Sequence, residues 1–214
     1  NFADASGVPF KVQYRYRPMQ YGDRLVRLYV LTNDEKSKLG GSPMPDGVIR
    51  VFRENGRGGL SYLAQESTKY IPIGDKIEVN LGDDPEVIFE LIKLRAYRDE
   101  IWMRLDGADI LRKVGDGDFE IDVRSSVAGW NDHAVYTQRI RNYTSKPIEV
   151  EVRRQFYGHV DFVSELPGVK LYDFQTPEFT TAVKPGEKAD RLFRVVTRHG
   201  RNVKQNSVTL KTGR

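Results

Sequence analysis

The chain has 214 residues, of which 39% are hydrophobic and 30% charged, and its formal net charge is +4. That length and apolar content allow one large or two small packed domains and exclude global disorder. The absence of cysteine excludes disulfides, thiolate metal sites and a thiol nucleophile; no apolar run reaches the roughly 18 residues of a membrane-spanning helix, and so mild a charge does not by itself imply nucleic acid.

In chain order, the polar opening Asn1 to Gly7 does not start on Met and reads as a segment following a cleavage point or a trimmed boundary. Phe10 to Arg17 alternates apolar and charged residues, which predicts a strand with Phe10, Val12, Tyr14 and Tyr16 on one face. Its place behind a polar terminus predicts an edge strand at an intermolecular contact. Leu25 to Leu31 reads as a more buried strand. Val48 to Phe52 and Leu60 to Leu63 flank the glycine-rich turn Asn55 to Gly59, a hairpin signature. Lys76 to Leu81 alternates and stops at Gly82. Val87 to Leu94 fits both periods; its strand neighbours favour a long strand running toward Tyr97.

Residues 101–105, 109–114 and 119–123 read as short strands between Asp-Gly turns. Ala134 to Asn142, the turn Tyr143 to Pro147 and Ile148 to Phe156 follow, then Phe179 to Val183, the turn Lys184 to Glu187, and Leu192 to Val196. Strands every 8 to 12 residues, with no heptad or internal repeat, predict an all-β protein of β-sandwich modules. The expected seam lies near Ser125 to Trp130. It gives an N-terminal β domain over 1–126 and an immunoglobulin-like sandwich over 127–214.

The order Leu39-Gly40, Pro43-Met44-Pro45, Gly47-Val48, Arg50-Val51-Phe52, Gly59-Leu60, Ile71-Pro72, Gly74 and Val79-Asn80-Leu81-Gly82 resembles a bacterial domain of unknown function. This is the β-rich C-terminal domain of mucoidy-inhibitor-A-like proteins. The resemblance is good over about 25–98 and looser over 134–196, where Arg141-Asn142 and Lys146-Pro147-Ile148-Glu149-Val150 carry it. The chain departs from the family pattern at Tyr70-Ile71, where the family has His-Thr, and at Asp83-Asp84-Pro85. Residues 99–133 have no counterpart. The resemblance implies a fold and a bacterial envelope, periplasmic or extracellular location; the family implies no settled activity.

Catalytic signatures are absent: no nucleophile elbow, phosphate loop or dinucleotide fingerprint, and three isolated histidines, His133, His159 and His199, without metal-ligand spacing. Asp116, Asp118 and Asp122 are a weak calcium candidate, since turn chemistry explains the same residues. Trp130-Asn131-Asp132-His133 reads as a joining loop; on a strand, Asp132 and His133 would face opposite ways. Asn142-Tyr143-Thr144 is a formal glycosylation sequon. Tyr14, Tyr16, Tyr21 and Tyr29 interleave with Arg15, Arg17, Arg24 and Arg27, the composition of a single-strand nucleic-acid platform and equally of a sheet with one wet face. From Arg191 to the end there are seven basic residues and no acid; Arg198, Arg201 and Lys204 around Gly200 are the candidate anion-binding cluster, with Glu149 and Glu151 as possible internal partners.

The reading is a non-catalytic structural or protein-interaction module that associates with itself or a neighbouring envelope protein, without cofactor, metal or nucleic acid. The alternative is a binding module for an anionic glycan or other anionic polymer through the basic C-terminal segment.

Overall fold

The computed structural model describes residues 5–39, 41–105, 111–113, 125–164 and 169–203. Within them the chain is all-β. The strands are β1 (Lys11–Tyr16), β2 (Leu25–Thr32), β3 (Gly47–Glu54), β4 (Leu60–Thr68), β5 (Lys76–Asn80), β6 (Val87–Leu105), β7 (Leu111–Lys113), β8 (Ser125–Asn142), β9 (Ile148–Arg153), β10 (His159–Val163), β11 (Lys170–Asp173), β12 (Thr176–Val183) and β13 (Lys188–Gly200). A single turn of helix, α1 (Pro18–Tyr21), follows β1. The strands form a sheet ordered β11-β12-β9-β1-β2-β5, a second ordered β10-β13-β8-β6-β7, and the hairpin β3-β4. Val87 onward is the long strand its neighbours suggested, and it extends through Ile101 to Leu105.

Two compact units emerge, and neither is continuous in sequence. The first comprises residues 1–89, 140–154 and 178–189; the second comprises 90–139, 155–177 and 190–214. The expected division after residue 126 is therefore corrected. Residues 127–214 are shared between both units, and the expected seam falls in β8, a continuous strand of 18 residues. Long strands have this effect: β6, β8 and β13 each supply residues to both units.

In the first unit β1 is an interior strand, which corrects the edge expected for Phe10 to Arg17. It pairs antiparallel with β2, Tyr14 opposite Arg27, and parallel with β9, Tyr14 opposite Val150 and Tyr16 opposite Val152. The reason is long-range: β9 supplies from 136 residues away a partner that the neighbouring sequence does not reveal. Tyr14 and Tyr16 are buried with Val26, Leu28, Val79, Val150 and Val152, whereas Phe10 and Val12 at the outer end are exposed. Burying side chains of this size contributes about 1.5–3 kcal/mol each. The hairpin packs Ile49 and Val51 against Ile71, Ile77 and Val79.

Tyr14 donates to Asp84 (2.7 Å), which also takes Arg27 (2.9 Å), and Tyr16 donates to Asp23. Burial, reinforced by the bond to Asp23, pushes the Tyr16 phenol up to about 12; burial and Asp84 likewise raise Tyr14.

Two buried asparagines close this unit's loops. Asn33, at the end of β2, donates to the carbonyls of Ser42, Ile71 and Pro72. Asn142 donates to those of Lys146 (2.9 Å), Val183 (3.2 Å) and Lys184 (3.0 Å), and accepts from the Thr144 amide and hydroxyl. Asn142 is 1% exposed with its amide fully engaged, so the sequon is a turn device inside the fold. Asn142→Ala strips partners from several carbonyls at once and is expected to cost about 3 kcal/mol, read as a lowered denaturation midpoint. A loss below about 0.5 kcal/mol, the ordinary effect of a surface change, would contradict that role.

Candidate functional site

The second unit holds the densest set of chemistry-bearing side chains, carried on β6, β8 and β13. Trp130 to His133 lie inside β8, so the loop expected there is corrected to strand. As strand geometry requires, Asp132 and His133 have separate partners. His133 Nε2 meets Asp99 Oδ1 at 2.8 Å, and its ring stacks on Tyr97 with centroids 4.5 Å apart. Asp132 accepts from Arg98 Nε (2.7 Å) and Trp130 Nε1 (3.1 Å), and lies 3.1 Å from His199 Nε2. Burial by itself raises the Asp132 carboxyl, but the bonds from Arg98 and Trp130, with the charge of Arg98 and His199, outweigh it and hold the group below the ordinary carboxylate range.

Trp130 stacks on His199 at 4.8 Å with Arg98 5.1 Å from its ring centre. Arg95 lies 4.8 Å from the ring centre of Tyr97 and Arg201 5.0 Å from that of Trp102.

Residues at i and i+2 share a strand face. Asp132, Ala134 and Tyr136 thus form one row on β8, and Val195, Thr197 and His199 a second on β13. A cavity of about 460 Å³ opens over these rows, bordered on β6 by Lys93, Ala96, Tyr97 and Arg98 and closed at one end by Phe156. That end is aromatic: Tyr136 stacks on Phe193 at 5.4 Å, and Phe156 lies 5.6 Å from both Tyr136 and Phe162. The other end is polar, with Asp132, His199 and Arg98.

Two glycines fix the approach of β13 to β8. Gly200 has φ +54°, and a Cβ there would lie 2.1 Å from the Ala128 carbonyl oxygen; a Cβ at Gly129 would lie 2.7 Å from the Arg201 amide. The bond from the Arg201 amide to the Ala128 carbonyl (2.9 Å) occupies this gap. Glu100, at φ +50°, interrupts the alternation of β6, and its carbonyl accepts from the Asn202 side-chain Nδ2 (2.8 Å).

The candidates from the sequence are not assembled as expected. Arg198 is bound to Asp161 through Nε (2.8 Å) and Nη2 (2.6 Å), and Arg201 lies over the ring of Trp102, so each has its own contact among the described residues. Lys204 lies outside the described residues, as do Asp116, Asp118 and Asp122. Glu149 and Glu151 pair with Lys11 and with Arg15 and Arg17 in the first unit, not with the C-terminal bases. The interleaved Tyr14, Tyr16, Arg15 and Arg27 are likewise engaged internally. Asp99, Tyr97 and Arg98 were not singled out from the sequence, because only strand register brings them to His133 and Asp132.

Among the described residues no cluster of His, Asp or Glu has the geometry to hold a metal ion. His133 and His199 each meet a carboxylate through Nε2, and among the described residues no hydroxyl bonds to either ring. No described helix is long and apolar enough to cross a membrane. No family model, curated protein or solved structure matches the chain.

Gly200→Ala is expected to destabilise the protein by about 2 kcal/mol or more, since it adds a clash with backbone to a left-handed conformation. In a Trp102→Phe background it should also red-shift Trp130 emission as His199 is displaced. Unchanged emission and stability would contradict the close approach.

Proposed function

We propose that this protein is a non-catalytic interaction module that associates with a second copy of itself through β11. The observation that carries this reading is the exposure of that strand. Among the described residues β11 is outermost in its sheet, and Leu171 (60% exposed), Tyr172 (62%) and the adjoining Phe174 (76%) leave apolar surface in solvent on both of its sides. Outer strands present unpaired backbone groups that recruit another chain. Here the side chains suit self-pairing. With the strand laid antiparallel against itself about a two-fold axis centred on Leu171, Leu171 faces Leu171 of the second copy and Lys170 faces Tyr172 of the second copy. The strand is short and ends in charges at both sides, which favours a closed pair over open-ended aggregation.

The self-association expected at Phe10 to Arg17 is thereby moved to β11, because β1 has neighbours on both sides. The resemblance of residues 25–98 to the bacterial domain of unknown function supports a bacterial envelope, periplasmic or extracellular setting for such an assembly.

Light scattering coupled to size exclusion, over a range of protein concentrations, checks this. The wild-type chain should dimerise. Leu171→Asp with Phe174→Asp should weaken the dimer by about 30-fold or more, the effect of losing a central contact. Met19→Asp, at an equally exposed apolar position in the first unit, should leave it intact. A wild-type monomer at every concentration, or equal association of the double variant with an unchanged melting curve, would refute β11 as the interface.

A further inference from the structure

We propose that the cleft over β6, β8 and β13 binds one acidic pyranose, a uronic-acid residue of a glycan, with the apolar ring face on Tyr136 and Phe156 and the carboxylate toward Lys93. This site is independent of β11 and of the dimer.

Four features of the cleft lead to that chemistry. Its volume of about 460 Å³ falls within the roughly 300–1,000 Å³ of small-molecule sites. Its hollow exists because Ala134 stands between Asp132 and Tyr136 in the β8 row, where a larger side chain would fill it. Its character changes along its length: aromatic at Tyr136 and Phe156, hydroxyl and imidazole at Thr197 and His199. A pyranose has the same division, an apolar C–H face and a rim of hydroxyls.

The fourth feature is charge. Asp132 is the sole carboxylate of the lining, and its oxygens are taken by Arg98, Trp130 and His199. A cationic ligand therefore finds no unpaired carboxylate in the lining and meets Lys93 instead. Lys93, exposed at the border, makes no hydrogen bond or ion pair with the described residues, so the lining carries an uncompensated positive charge. These observations keep an anionic ligand in view while placing it away from Arg198 and Arg201, which are otherwise engaged.

Isothermal titration tests the assignment with three probes: a glucuronate-terminated trisaccharide, its neutral analogue in which a hydroxymethyl group replaces the carboxylate, and benzoate. The acidic sugar should bind, and the neutral analogue should bind about three- to fivefold more weakly, the effect of one exposed charge pair. Lys93→Gln should bring the acidic sugar down to the neutral level while leaving the melting curve unchanged. Ala134→Leu, which fills the hollow, should weaken both sugars by more than about tenfold. Four results would each overturn the proposal: no binding of the acidic sugar, equal binding of acid and neutral forms, unaltered affinity in Lys93→Gln, or benzoate binding as tightly as the sugar. Lys93→Gln reads the site even if Ala134→Leu fails to fold.

Discussion

A guanidinium buried in the middle of a sheet organises the first unit. Arg15, on β1, is 5% exposed, and both its terminal nitrogens reach the Glu78 carboxylate on β5, at 2.5 and 2.6 Å. Gln13 holds the same guanidinium at Nε and Nη2, and Glu151 on β9 lies 3.9 Å from Nε. Arg17 then binds Glu151, and Lys11 binds Glu149 (2.7 Å). Burial lowers the affinity of Arg15 for its proton, but Glu78 and Glu151 more than offset that, and Arg15 in turn holds Glu78 below the usual carboxylate range. A buried ion pair of this kind adds little over a well-packed apolar pair, yet removing one partner costs about 3–5 kcal/mol, because a charge is left uncompensated. Glu78 is 34% exposed, which moderates that cost from its side.

Register is the greater consequence. A one-residue slip of β1 along β9 would send Tyr14 and Tyr16 to the charged face and Arg15 into the core. With Glu149 and Glu151 on one face of β9 and Val150 and Val152 on the other, a single alignment satisfies both faces. That alignment joins residues 14–16 to 150–152, a contact of long sequence separation that assembles slowly. The same strand-borne order sets the cleft. Its groups stand on continuous strands at two-residue intervals, and Gly129 and Gly200 fix how closely those strands approach. The site is therefore shaped by backbone, and Asp132, Arg98 and His199 are already paired or stacked before any ligand arrives.

Much of the fold was legible because its strands obey local rules. Lys76 to Leu81 alternates cleanly, Asn55 to Gly59 carries hairpin chemistry, and Ile148 to Arg153 alternates apolar with charged; each is strand or turn where expected. Long-range partnership was not legible. Nothing within Phe10 to Arg17 announces that Glu149 and Glu151 lie beside it, so a central strand looked like an edge. The short outer strands β10 and β11 carry too few residues to show a period. The site was half legible: Trp130 to His133 stood out as a polar aromatic cluster, and the opposite pointing of Asp132 and His133 followed from strand geometry. Asp99 and His199 complete it only through register across β6, β8 and β13. Arg198 and Arg201 illustrate the converse, since proximity in sequence around Gly200 does not prevent each from finding its own partner.

The central position of β1 is tested most directly by native-state hydrogen exchange of residues 12–16. An interior strand has amides bonded alternately to β2 and to β9, so consecutive amides should all be protected to nearly the global stability of the protein. Rapid exchange of every second amide along Val12 to Tyr16, the pattern of a strand with one open side, would contradict the account.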